Sequence, residues 1–175
     1  MAEVIRSYRQ EAPALRFIGK RYSDADRVDG GFGAVWESWF EKGYFGVLEG
    51  ASSDMEVGYG DVGDSDAYIG LMRWKDGEPF QYWVGMFMPP DTVVPDGFAC
   101  VDFEAASWGM CWLQGAPGTV FAQECTCAQR LKDEGYVIRT DAAGACWFFE
   151  RYHSPRFTAP DERGNIILDI GHFVE

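Results

Sequence analysis

The stretch "CWFFERY" (146–152) sets a single carboxylate, Glu150, among Trp147, Phe148, Phe149 and Tyr152. An acid surrounded by rings is costly unless it is paired, protonated or placed to meet a cation. Read as a strand, the segment sends Cys146, Phe148, Glu150 and Tyr152 to one face. Trp147, Phe149, Arg151 and His153 go to the other, so Arg151, the nearest base in sequence, points away from Glu150. Two settings are open to this carboxylate: the solvent side of a sheet, beside a cross-strand base, or a cavity. Phe148 and Tyr152 on the same face speak for the cavity. There Glu150 has three possible uses. It can neutralise a cationic ligand while rings supply stacking and cation–π contact. With a pKa raised by desolvation it can act as general acid or base on a bound water, Tyr152 orienting it. Or it can be a silent buried acid held by Tyr152 or another hydroxyl.

No other constellation competes with it. A Gly-x-Ser-x-Gly motif is absent, and no Ser-His-Asp or Cys-His arrangement stands out. His153 and His172 do not have metal-ligand spacing and read as strand-end or loop residues. Cys125-x-Cys127 falls in an expected helix, where i and i+2 point to different sides, so no metal site is expected. Asp61, Asp64 and Asp66 lack the spacing and terminal Glu of an EF-hand loop and read as a solvated loop. "DGGFG" (29–33) lacks the Lys-Ser/Thr of a phosphate loop and reads as a turn and helix start. No cofactor is implied.

The 175 residues carry 28 Asp+Glu against 15 Lys+Arg, a formal charge of −13. Such a surface repels phosphate backbones, which argues against nucleic acid as a partner and favours cationic small molecules or basic proteins. Aromatic residues make up 16% of the chain, with seven Trp, more than a core of this size needs, which points to a ring-lined cavity. No apolar run is long enough for a membrane span, and the N-terminal stretch has no apolar signal region. Five Cys without a C-x-x-C pair fit reduced thiols, so a cytoplasmic location is expected.

These side chains need elements to position them. "ALRFIGKRYS" (14–23) reads as a strand with Leu15, Phe17 and Gly19 on one face. "FGAVWESWFEKGYF" (32–45) is an amphipathic helix with Trp36, Trp39, Phe40 and Tyr44 on its aromatic face, and Gly43 is its stop. Residues 48–66 read as an acidic, inserted loop. "AYIGLMRW" (67–74) and "FQYWVGMFM" (80–88) are strands around an Asp76-Gly77 turn. "FACVDFEAASWGMCWLQG" (98–115) is a strand or bent strand pair with Trp108, Met110 and Trp112 alternating. A second helix over 116–135 places Phe121, Cys125, Ala128 and Leu131 on one face and ends at Gly135. "GACWFFERYHS" and "NIILDIGHFV" are the last strands. Strand, helix, strand, strand is thus written twice, about 12–90 and about 95–175, within one domain spanning 1–175. The expectation is an α+β fold in which two βαββ repeats form an antiparallel sheet, with two helices on one face and a ligand cleft between the repeats.

That order resembles the GyrI-like small-molecule-binding domain, also called the AraC-type effector-binding domain, over roughly residues 12–174. The resemblance rests on "AYIGLMRW" before "YWVGMFM", on "VPDGFACVDFEAASWGMCWLQG", on the helix ending "LKDEGY", on "WFFERY" and on the closing "NIILDIGHFVE". It implies an aromatic pocket between the repeats with a glutamate on the penultimate strand at its base, which maps onto Glu150, and a tyrosine, which maps onto Tyr152. Many members are fused to a helix-turn-helix domain and sense cationic, lipophilic drugs. With no room for one before Leu15, this chain looks like a stand-alone bacterial member. Such members include multidrug-binding proteins, gyrase-inhibitory proteins and hydrolases that open electrophilic cyclopropane-bearing natural products. The residue reading and the resemblance together make Trp36, Trp39, Tyr68, Trp83, Trp108, Trp112, Trp147, Glu150 and Tyr152 the candidate ligand contacts. The resemblance to the hydrolases makes Glu150 and Tyr152 the candidate catalytic pair. The first expectation is binding of bulky aromatic or cationic small molecules. Hydrolysis in the same pocket, with Glu150 as general base, and inhibition of gyrase through the acidic surface are the alternatives.

Overall fold

In the computed structural model, residues 1–52 and 64–175 are described. They form strands β1 (Glu3–Ala12), β2 (Leu15–Tyr22), β3 (Tyr68–Trp74), β4 (Gln81–Met88), β5 (Ala99–Phe103), β6 (Ala106–Gly115), β7 (Cys146–Tyr152) and β8 (Ile166–Val174). The α-helices are α1 (Gly33–Glu41), α2 (Tyr44–Ser52) and α3 (Glu124–Asp133). All strands join one antiparallel sheet in the order β1-β6-β8-β7-β3-β4-β2-β5. The fold is therefore α+β, with an open eight-stranded sheet and helices over the cleft between the repeats.

The order explains itself as two related halves. β2, β3 and β4 with α1 and α2 form one, and β6, β7 and β8 with α3 form the other. They meet where β7 pairs with β3. The strand before each half crosses over to the far edge of the other, β1 onto β6 and β5 onto β2.

Period-2 alternation gives the sheet two different faces. Leu15, Phe17, Trp83, Phe87, Trp108, Phe149 and Phe173 form a dry aromatic core on the face away from the helices. The sheet rolls around this core. Phe103 on edge strand β5 reaches Phe173 on β8, with ring centroids 5.0 Å apart, although four strands separate them in the order. On the outer face, Ile18, Val84, Met86 and Met88 pack under α1 and α2, while Cys111, Leu113, Leu168 and Ile170 pack under α3.

Three expectations need correction. Two helices were expected and the described residues hold three: Gly43, at φ +65°, ends α1, but α2 starts at Tyr44 and runs to Ser52, into the stretch read as loop from residue 48. Phe45 and Leu48 bury that helix on the sheet despite Gly46 and Gly50, so packing overrides propensity. The rest of the acidic stretch, including Asp61, lies outside the described residues. β1 was not expected, because its charges suit an edge strand and hide its alternation. Finally, the buried face of α3 carries Cys127 and Leu131, while Phe121 and Cys125 are exposed.

Candidate ligand cavity

Where the two halves meet, α1 and α3 stand apart over the β7–β3 seam. Between them lies a cavity of about 1400 Å³, lined by both halves. Its floor is set by strand register. Tyr68 lies opposite Tyr152, Gly70 opposite Glu150 and Met72 opposite Phe148, so all six share the cavity face. Met72 is also opposite Tyr82 on β4. From α1 and its approach come Trp36 and Phe32, Phe32 stacking on Tyr82 with centroids 3.9 Å apart. From α3 and its approach come Phe121, Glu124 and Cys125, and β8 adds His172.

Glu150 is buried at the base of this cavity, 5% exposed, so the solvent-facing setting is excluded. Its Oε2 accepts hydrogen bonds from Tyr152 Oη at 2.9 Å and Tyr82 Oη at 3.4 Å. Trp36 Nε1 donates to Tyr82 Oη at 2.9 Å and so holds that hydroxyl in place. Desolvation first, then the negative charge of Glu124, push Glu150 up to about 8, against the two tyrosine donors that favour its charged form. Burial and the neighbouring carboxylate likewise raise both phenols well above the ordinary tyrosine value, so they stay neutral. Burial raises the Glu124 carboxyl too, and it is hydrogen-bonded to Glu150.

His172 sets the position of Glu124. Its ring stacks on Phe148 at 5.3 Å and its Nε2 lies 3.0 Å from the Glu124 carbonyl oxygen. Burial lowers its pKa to about 4, so the ring is neutral and Nε2 carries the donated proton. This bond anchors the first turn of α3 to the sheet.

Of the residues expected to contact a ligand, Trp36, Tyr68, Glu150 and Tyr152 line the cavity. The others do not. Trp39 is fully buried between the helices and the sheet and donates to Tyr22 Oη at 2.8 Å. Trp83, Trp108 and Trp147 belong to the aromatic core on the opposite face. Trp112 shares the phase of Trp108, and the guanidiniums of Arg6 and Arg156 each lie 4.7 Å from its ring centroid. Strand parity is the reason in each case except Trp39, which lies on the buried stripe of α1.

Tyr82 and Glu124 were missed. A tight two-residue turn at Asp76-Gly77 would pair Gly70 with Trp83 and put that Trp in the cavity. The observed register pairs Gly70 with Val84 and Met72 with Tyr82. The turn itself is present, Glu78 N donating to Lys75 O at 3.2 Å, but Pro79 and Phe80 shift the return strand by one residue and exchange its faces. Glu124 carried a weak signal, an acid opening a helix.

Arg151, expected to point away, does so. It is fully buried and its Nη2 lies 2.8 Å from Asp169 Oδ2, its cross-strand neighbour. Tyr8 and Gln10 from β1 accept from the same guanidinium, and Arg156 bridges Asp169 to Asp64. This network lies across the sheet from the cavity and ties β1, β7 and β8 together.

No family model matches the chain, and no curated protein matches its sequence. Solved structures do match. The structure of SAV2435 bound to tetraphenylphosphonium aligns with a TM-score of 0.67 at 14% identity, covering 98% of this chain and 94% of that one. A Staphylococcus aureus MU50 protein, whose name links it to bacterial transcription regulation, aligns with a TM-score of 0.62 at 14% identity over 97% of this chain and 98% of its own. The EcmrR C-terminal domain aligns with a TM-score of 0.54 at 12% identity over 97% of both chains. At these identities the likeness is one of fold. Among the described residues no helix is long and apolar enough to cross a membrane.

Proposed function

We propose that the chain is a GyrI-like small-molecule-binding protein whose cavity takes bulky aromatic cations. The observation that carries this reading is the placement of Glu150, a buried carboxylate at the base of a large cavity walled by Trp36, Phe32, Tyr68, Tyr82 and Phe148. Rings offer stacking and cation–π contact, and the buried acid supplies charge where water is scarce. The fold likeness to a protein solved with tetraphenylphosphonium supports the same class of ligand. Tryptophan fluorescence tests it. Tetraphenylphosphonium should quench saturably, and Trp36→Phe should lose most of the signal. No saturable change up to millimolar probe contradicts the reading.

A second reading is favoured by one observation, the burial of Glu150 in the cavity beside a second carboxyl, which raises its pKa to about 8. A group so tuned suits general acid–base work on a strained electrophile, as in hydrolysis of cyclopropane-bearing compounds. Mass spectrometry of such a compound incubated with the protein would show a water-adduct product, abolished by Glu150→Gln. Unreacted compound would leave binding alone.

A further inference from the structure

Two carboxyls, not one, meet at the base of the cavity. Glu124 is the first residue of α3, and its carboxyl is hydrogen-bonded to that of Glu150. Two carboxylates in contact, Glu150 buried and Glu124 half-buried, repel strongly unless one proton lies between them. The surroundings decide which oxygen keeps it. The N-terminus of α3 and the positive charge of Arg27 favour the anion on Glu124. Besides Glu124, Glu150 is met by the neutral hydroxyls of Tyr82 and Tyr152, neither of which carries a positive charge. Among the described residues, the other charged groups around the cavity are the Glu49 carboxylate, which accepts from Tyr68 at 2.7 Å, Asp66, and Lys132 on α3. His172 is neutral at the pH in question.

From this cluster we infer that Glu124 is a second ligand-binding residue, and that Glu124 and Glu150 act as one proton-sharing pair that gives up its proton when a monocation enters. The inference rests on the cation-binding reading of the cavity. The balance is simple. A cation plus the pair COOH·COO⁻ becomes the cation held by two carboxylates, and H⁺ passes to solvent. No covalent bond to the ligand forms. The free pair holds its proton below the value of about 8 at Glu150. A bound cation lowers that value, so affinity rises with pH until the free pair has lost the proton anyway. Linkage then gives about a tenfold gain in affinity between pH 6 and 7, roughly fivefold more between 7 and 8, and a plateau near 9. Permanent cations show the effect undiluted, since they carry no proton of their own.

The test is calorimetric titration of the whole protein with tetraphenylphosphonium at pH 7 in phosphate and in Tris, whose ionisation heats differ. The expected result is a heat difference equal to the release of close to one proton, with affinity climbing from pH 6 to 9. Glu124→Gln should still bind but release less proton at pH 7, because Glu150 has lost its like-charge neighbour while its burial remains. Binding with equal heats in both buffers and flat affinity overturns the proton-sharing pair and leaves the cation-binding cavity standing. Equal proton release from Glu124→Gln and the unmodified protein overturns the role of Glu124. Failure to bind the probe at any pH overturns the cavity reading and this inference with it.

Discussion

Gly70 lies directly across the β3–β7 ladder from Glu150, and the missing side chain is what leaves room for the carboxylate. A Cβ there would sit 2.7 Å from Tyr82 Oη and 3.2 Å from Glu150 Oε2. Gly70→Ala should therefore displace the Tyr82 hydroxyl, break its bond with Trp36 and weaken cation binding by about tenfold. Overpacking of this kind costs about 1–3 kcal/mol of stability. Paired binding and melting measurements check it. An unchanged affinity would mean the Tyr82 hydroxyl has no part in the site.

The Arg151–Asp169 pair predicts a stability effect separable from binding. Both side chains are fully buried, and Asp169 also pairs with Arg156, so removing its carboxylate takes a shared anion from two guanidiniums, of which Arg151 keeps Asp64 at 3.4 Å. Asp169→Asn should cost about 3–5 kcal/mol. In a chain of this size that lowers Tm by roughly 10 °C or more. The change faces away from the cavity, so cation affinity measured well below the new Tm should stay within about twofold.

Stability should fall on the alkaline side because of Glu150. Its folded value, about 8, lies above the ordinary carboxylate value of 4.5. The stability it contributes is fully present below about pH 4.5 and is lost as pH rises through 8. His172 runs the other way. Its folded value of about 4 lies below the ordinary 6.5, so its contribution holds above pH 6.5 and is lost on acidification towards 4. Melting curves of the protein and Glu150→Gln between pH 5 and 9 separate the two. The variant should lose less stability over that range. Parallel curves would contradict a buried, protonated Glu150.

Much of this arrangement was readable from residue order. The phase of β7, with Glu150 beside Phe148 and Tyr152 and away from Arg151, follows from period-2 alternation alone. Leu15 and Phe17 were placed on the same face for the same reason, and both lie in the inner core. What alternation leaves open is register between strands. One extra residue after the Asp76-Gly77 turn exchanged Trp83 for Tyr82 at the cavity. Trp108 and Trp147 were misplaced because abundant rings suggested a pocket, whereas the rolled sheet needs them for its inner core. Glu124 escaped because its meaning depends on a contact with Glu150, far off in sequence.

A charged and an uncharged probe of the same shape separate charge recognition by Glu150 from ring stacking. Tetraphenylphosphonium and a neutral tetraphenyl analogue would be titrated against the protein and against Glu150→Gln at pH 8. The protein should prefer the cation by about tenfold or more, and Glu150→Gln should cut this preference several-fold, the Glu124 carboxylate keeping the rest, while leaving affinity for the neutral probe nearly unchanged. Equal preference for the cation with and without the Glu150 carboxylate would contradict charge recognition by Glu150.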